Sequence, residues 1–281
     1  MVVSFIGIGL IGGSAAIALR KRGFAKRLIG VDCNPQHAEQ ALALGLVDEV
    51  LPLDEAVKAA DLALLAVPVN VARELLPHIL SLLREDATVV DMGSTKNGIC
   101  TVARSLSRRA QYVASHPMAG TEYSGPTAAA DGLFDGKKAI VCEHSLSADF
   151  ALNRVLSMYR SLNMEVLFYT DPEAHDRHVA YVSHISHVSS FMLGLTVLEV
   201  EKSEKHIFDL AGTGFESTVR LAKSSPATWT PIFLQNAASV SHALQKYIEN
   251  LQRFKACVDE RSFDGIAALI AEANKIEKII K

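Results

Sequence analysis

Val2-Val3-Ser4-Phe5-Ile6-Gly7-Ile8-Gly9-Leu10-Ile11-Gly12-Gly13-Ser14 opens the chain and decides the reading of its fold. An uncharged β-rich run gives way to G-x-G-x-x-G at Gly7, Gly9 and Gly12, and a helical pattern then runs from Ile11 to Lys21. Asp32 stands twenty residues after Gly12, at the end of the next expected strand. Strand, glycine turn, helix, strand and acid in that order form the fingerprint of a dinucleotide-binding βαβ unit. Gly7 permits the tight turn, Gly9 lets a pyrophosphate approach the backbone, and Gly12 lets the helix pack close to the sheet. The phosphates would rest on the helix N-terminus at Leu10 and Ile11. Asp32 would accept hydrogen bonds from ribose hydroxyls. A 2′-phosphate would meet that carboxylate with only Cys33 and Asn34 beside it, so the expected cofactor is NAD and not NADP.

Working outward, short β-rich runs alternate with helical patterns as far as Tyr169, which predicts a parallel sheet built from βαβ units. Strands are expected over Val2–Ile6, Leu28–Asp32, Leu62–Val67, Thr88–Asp91, Tyr112–Ser115, Ala139–Cys142 and Glu165–Tyr169, with helices over Gln36–Leu44, Val69–Leu83 and Ala148–Leu162 between them. Val67 and Pro68, where the third strand ends, are assigned to the cofactor crevice. From Pro172 the strand pattern stops. The fold class is therefore α/β: a Rossmann-type, mostly parallel sheet domain over 1–169, followed by an all-α dimerisation domain over 170–281. In the second part Ile266, Leu269, Ile270, Ala273, Ile276 and Ile280 make an apolar stripe. His178 to Leu198 contains no Asp, Glu, Lys or Arg. Its three histidines and four serines argue against lipid, so it is read as a helix buried in a core or a subunit interface. Together these surfaces predict a homodimer through the helical half.

A formal charge of -3, with no basic run longer than Arg20-Lys21-Arg22, argues against nucleic acid as a partner. The apolar N-terminus is broken by glycines and followed, not preceded, by its positive charges, so it is not read as a signal anchor. Cys33, Cys100, Cys142 and Cys257 form no CxxC pair and fit reduced thiols in a cytoplasmic protein. Chemistry-bearing residues fall in three places. Ser115-His116-Pro117-Met118-Ala119-Gly120-Thr121-Glu122 follows an expected strand, whose end faces the ligand crevice of an open α/β sheet. His175, His178, His184 and His187 form a second group. On a straight helix the first two point nearly opposite to the last two, and no metal site is expected. Gly214-Phe215-Glu216 leads to Arg220 and then to Ser224-Ser225-Pro226-Ala227-Thr228-Trp229.

Across nearly its whole length the chain resembles the prephenate dehydrogenases and their arogenate-using relatives. GIGLIGGS at Gly7, Asp91-Met92-Gly93-Ser94-Thr95-Lys96, SHPMAGTE at Ser115, YVSHISH at Tyr181 and RLAKSSPATW at Arg220 are similar to that family's segments in the same order. The resemblance implies that His116 is the catalytic base, that Ser94 helps hold the substrate hydroxyl, and that Arg220 binds a substrate carboxylate. Ser183, His187, Thr121 and Glu122 would line or gate the pocket, with Trp229 packed nearby or donated across a dimer. Glu216-Ser217 replaces a common Arg-Asp pair, and Val219 a common threonine, which touches the recognition of the substrate side chain. The early fingerprint and short helical half imply a monofunctional enzyme. The implied reaction turns prephenate and NAD into 4-hydroxyphenylpyruvate, carbon dioxide and NADH, or acts on arogenate to give tyrosine. Two rivals share the fingerprint: another two-domain hydroxyacid dehydrogenase, which gives no reason for SHPMAGTE, and a non-catalytic NAD sensor, against which the His, Ser and Arg at expected pocket positions argue. An ordinary histidine pKa of about 6.5 would leave His116 mostly neutral at neutral pH.

Overall fold

The computed structural model describes residues 1–279, so Ile280 of the expected stripe lies outside the described residues. Eight strands form one sheet: β1 (Val2–Ile6), β2 (Arg27–Val31), β3 (Glu49–Val50), β4 (Leu62–Leu65), β5 (Thr88–Asp91), β6 (Tyr112–Pro117), β7 (Lys138–Cys142) and β8 (Glu165–Tyr169). Their order is β3-β2-β1-β4-β5-β6-β7-β8. The first six follow the dinucleotide-binding order, whose switch point lies between β1 and β4. All neighbours are parallel except β6 and β7.

Helices α1 (Leu10–Lys21) and α6 (Asp149–Ser161) pack on one face, and α3 (Leu53–Ala59), α4 (Val69–Leu82) and α5 (Asn97–Arg104) on the other, with α2 (Pro35–Ala43) following β2. Burial on both faces is why β4 reads Leu-Ala-Leu-Leu without alternation. Leu62 and Leu64 pack with Leu19, Val155 and Tyr159, while Ala63 and Leu65 pack with Leu76, Ile79 and Ile99.

β4 stops at Leu65, two residues short of the expected Val67, and two further strands differ from expectation. β3 is only two residues long, too short for any periodicity to mark it; the bonds Asp48 N–H to Leu28 O and Leu51 N–H to Gly30 O hold it beside β2. β6 does not stop at Ser115 but continues through His116 to Pro117. Its parallel pairing with β5 covers Tyr112 and Val113, and beyond that point it pairs antiparallel with β7, setting His116 opposite Ile140 and Pro117 opposite Ala139. The missing N–H of Pro117 is harmless there because that end of β6 has a ladder on one side only.

After β8 the chain is helical: α7 (Pro172–Val179), a π-helical turn over Ala180–His184, α8 (Ile185–Glu201), α9 (Thr213–Val219), a 3₁₀ turn over Arg220–Lys223, and α10 (Pro226–Gln235). These helices form a compact unit, Met1–Asn236, with the sheet. A second unit begins at Ala237 and contains α11 (Ala237–Asp259) and α12 (Phe263–Ala273). The core alternative for His178–Leu198 is corrected. In α8 only Ser190 is buried, while Met192, Leu195 and Leu198 are exposed. Among the described residues no helix is long and apolar enough to cross a membrane. The four cysteines are free thiols.

Candidate active site

The turn after β1 is built for close approach. Gly7 has φ +92°, in the left-handed region, and a Cβ there would lie 2.5 Å from the Ala66 carbonyl oxygen and 2.9 Å from Cγ1 of Val67. A Cβ on Gly12 would fall on the Gly7 carbonyl, so helix and turn touch through backbone alone. Gly9 caps α1, and a Cβ on it would meet only the Gly125 nitrogen, at 3.9 Å. That open face at a helix N-terminus fits a pyrophosphate, with Leu10 and Ile11 half-buried in the first helical turn. Asp32 follows β2 and accepts from the Ile8 and Asn34 N–H groups. Val67 and Pro68 follow β4, where Pro68 caps α4. The segment after β6 crosses over this turn. Ala130 N–H donates to Ser14 Oγ at 2.9 Å, a contact that no motif announced.

His116 lies at the carboxyl end of β6, 8% exposed. Its Nδ1 is 3.0 Å from His175 Nε2, and His175 Nδ1 is 2.8 Å from Asp176 Oδ1. Asp176 also accepts the Lys96 and Asn97 N–H bonds at the start of α5, at 2.7 and 2.9 Å. Beneath these residues runs a buried ion pair between Lys96 and Asp91, with both side chains at most 1% exposed. Asp91 further accepts from Tyr112 Oη at 2.7 Å and from Ser115 N–H at 3.1 Å, and Lys96 Nζ donates to the Ser115 carbonyl at 2.6 Å. The pair thus ties the β5–α5 loop, which carries half-buried Ser94, to the strand that carries His116. Burial, then the neighbouring His175, Lys96 and His184, push the His116 pKa well below its ordinary value. This corrects the expectation of an unperturbed imidazole.

The second group sits on the helices that follow. His187 stacks on Trp229 of the same chain at 3.4 Å between ring centroids, and its Nδ1 is 3.1 Å from the Ser183 carbonyl oxygen. Burial lowers the His187 pKa, partly offset by that carbonyl. Arg220 is not buried. Its side chain is 50% exposed and donates to Glu122 Oε2 at 2.5 Å, leaving the Glu122 carboxylate 9% exposed. The reason is local: Arg220 opens an exposed 3₁₀ turn, and the segment after β6 brings it a carboxylate. The Glu122 backbone N–H, then Arg220, hold the Glu122 carboxyl below the usual carboxylate range. Glu122, Tyr123, Ser124, Thr127, Lys223 and Ser225 line one cavity of about 610 Å³. Thr121 is exposed, and its Oγ1 accepts from the Tyr123 N–H. Glu216 is exposed on α9, one turn before Arg220.

The histidine group divides. His175 joins His116, while His184, fully buried, faces Asn236 Nδ2 at 3.2 Å. Asn236 Nδ2 also donates to the Asp176 carbonyl at 2.6 Å and so links the two groups. Among the described residues no group of three or more His, Cys, Asp or Glu side chains is placed to hold a metal ion. His175 and Asp176 were missed as partners of His116. The available signal was their position in the first turns of the helix that follows β8, capped by Asp171.

Fold and site together define a dinucleotide-dependent dehydrogenase. Residues 15–168 match the family model "Prephenate dehydrogenase, nucleotide-binding domain", and residues 171–272 match "Prephenate dehydrogenase, dimerization domain". A crystal structure of prephenate dehydrogenase from Aquifex aeolicus, in complex with hydroxyphenyl propionate and NAD+, is 31% identical with a TM-score of 0.89, covering 100% of this chain and 98% of that one. Prephenate dehydrogenase of Bacillus subtilis is 29% identical over 92% of this chain and 71% of its own length. Cyclohexadienyl dehydrogenase of Zymomonas mobilis is 28% identical over 99% of this chain and 96% of its own. The chain belongs to the prephenate dehydrogenase family.

Proposed function

We propose that this chain oxidatively decarboxylates prephenate to 4-hydroxyphenylpyruvate with NAD as hydride acceptor, a step of tyrosine biosynthesis. The observation that carries the reading is His116: a buried imidazole, held neutral, at the carboxyl end of β6 on the edge of a dinucleotide crevice. Gly7, Gly9, Leu10, Ile11, Gly12, Val67 and Pro68 would hold the cofactor's phosphates and ribose chain, with Asp32 at the adenosine hydroxyls. Bound there, NAD supplies the acceptor for the hydride leaving the hydroxyl-bearing ring carbon.

The chain's own residues manage the proton and the charges. As the ring carbon becomes electron-poor its hydroxyl becomes acidic, and neutral His116 accepts that proton. Electrons from the bond to the departing carboxylate flow into the ring, and the aromatic oxygen takes the proton back from His116. One hydride and one carbon dioxide leave, and no net proton is consumed. Ser94 would hold the hydroxyl. Arg220 would exchange Glu122 for a substrate carboxylate, which its planar fork suits. His187, Ser183, Thr121, Glu122 and Trp229 would line the pocket.

We further assign cofactor binding to 1–169 and substrate binding with dimerisation to 170–281. The exposed apolar residues of α8, and those of α11 and α12 (Leu251, Phe254, Val258, Phe263 and Ile270), support a homodimer through this half. A small anionic substrate and a soluble cofactor fit a cytoplasmic enzyme. Arogenate is the second reading, favoured by Glu216, whose exposed carboxylate one turn from Arg220 could attract an ammonium group. The test is NADH formation with each substrate, with and without tyrosine. Turnover of prephenate at higher kcat/KM supports the proposal. Preference for arogenate moves the assignment to the second reading, and turnover of neither removes both.

A further inference from the structure

We infer that His175 and Asp176 are positioning residues that fix the tautomer of His116, keeping its proton on Nδ1 and its lone pair on Nε2, the nitrogen offered to the substrate hydroxyl. The inference rests on the proposed function for its chemical meaning, while the tautomer itself is a property of the protein alone.

The assignment follows by accounting for donors. Asp176 receives the Lys96 N–H on Oδ1 at 2.7 Å and the Asn97 N–H on Oδ2 at 2.9 Å, where α5 begins and its dipole favours an anion. A carboxylate held so has only acceptors to offer, so His175 Nδ1, 2.8 Å from Oδ1, must carry a hydrogen. With that one proton on the His175 ring, its other nitrogen is an acceptor. His175 Nε2 lies 3.0 Å from His116 Nδ1, which must therefore donate. That leaves His116 Nε2 unprotonated. The rings meet nitrogen edge to nitrogen edge, with centroids 5.2 Å apart and planes twisted by 76° about the bond, the geometry of an in-plane N–H aimed at an in-plane lone pair. His116, His175 and Asp176 are 8%, 1% and 3% exposed, so water does not compete for these bonds. The groups facing the pair from neighbouring elements are Lys96, whose charge disfavours a second proton on His116, the buried His184, and the Tyr169 ring, edge-on to His175 at 6.1 Å. When His116 takes the substrate proton its cation lies on a chain of hydrogen bonds ending at the Asp176 carboxylate, and the proton returns by the same nitrogen.

The first test needs no substrate. Nitrogen-15 NMR of the histidine-labelled full chain near neutral pH should show His116 with a protonated Nδ1 and a bare Nε2; a protonated Nε2 overturns the inference whatever the enzyme's activity. Two variants then separate positioning from structure. His175→Leu removes the acceptor and should lower kcat roughly 10- to 100-fold, with KM and NAD affinity within about threefold. His175→Gln restores an acceptor oxygen and should return kcat to within about fivefold of the parent. Equal losses in the two variants, or a loss in His175→Leu that appears in KM and NAD affinity and not in kcat, contradict a positioning role. A protein with the expected tautomer that turns over neither prephenate nor arogenate overturns the proposed function and leaves the hydrogen-bond chain standing.

Discussion

The two halves of the candidate site are made of similar residues and live in different surroundings. Around His116 every polar partner is buried: Asp91, Lys96, Ser115, His175 and Asp176 are all at or below 8% exposure. Around Arg220 the surroundings are partly open, with an ion pair between an arginine 50% exposed and a carboxylate 9% exposed, and a histidine stacked on a half-buried tryptophan. The first group is fixed before anything binds, because unpairing any member would strand a buried charge or dipole. The second can exchange partners at little cost, since exposed ion pairs are worth about 0–1 kcal/mol. Proton transfer needs the first property, and capture and release of an anionic substrate need the second.

Breaking the buried half should have the largest consequence. His116→Asn keeps a hydrogen-bonding side chain but cannot take the proton, so kcat should fall by about 10² to 10⁴ with NAD binding retained; a loss of only a few fold would move the base elsewhere, with His187 the next candidate. Next in size, Lys96→Met leaves Asp91 buried without its counter-charge and should cost about 3–5 kcal/mol in urea unfolding. A cost below about 1 kcal/mol would mean the Asp91 carboxylate is satisfied by Tyr112 and the backbone alone.

The comparison sharpens with pH. Burial lowers the His184 pKa to about 4, with a smaller opposing pull from Asp176. A histidine depressed in the fold stabilises it fully above its unfolded value of about 6.5, and this is lost as pH falls from there toward the folded value. The span is worth up to about 3 kcal/mol, and His116 acts in the same direction. His184→Gln should therefore flatten the decline in stability between pH 6.5 and 4. An unchanged slope would place the titration on other groups.

The exposed half should give the smallest effect. Arg220→Ala should raise KM by about 5- to 30-fold, or about 1–2 kcal/mol, because the side chain keeps half its solvent, and should leave NAD affinity alone. An unchanged KM would make Arg220 a solvated surface residue.

What the sequence made legible follows the same division. The glycine turn, Asp32 and strands β1, β2, β4 and β5 were readable because spacing and apolar runs are local signals. The extension of β6 through His116 and Pro117 was not, because it depends on an antiparallel neighbour more than twenty residues on. His175 was visible only as one of four histidines, and a straight-helix projection separated them without showing that β8 and α7 return the first of them to His116. The exposure of Arg220 was not legible, for a different reason. Its partner Glu122 is remote in sequence, and nothing local says that an arginine already has a carboxylate.

The central claim is that a buried, neutral His116 accepts the substrate proton. The most direct measurement is the pH dependence of kcat/KM for NADH formation from prephenate, which reports ionisations of the free enzyme. Since burial and the neighbouring His175, Lys96 and His184 hold the His116 pKa well below its ordinary value, kcat/KM should stay level from neutral pH down through about 6.5 and fall only at markedly lower pH. An acid limb centred near 6.5, or one that survives unchanged in His116→Asn, would contradict the account.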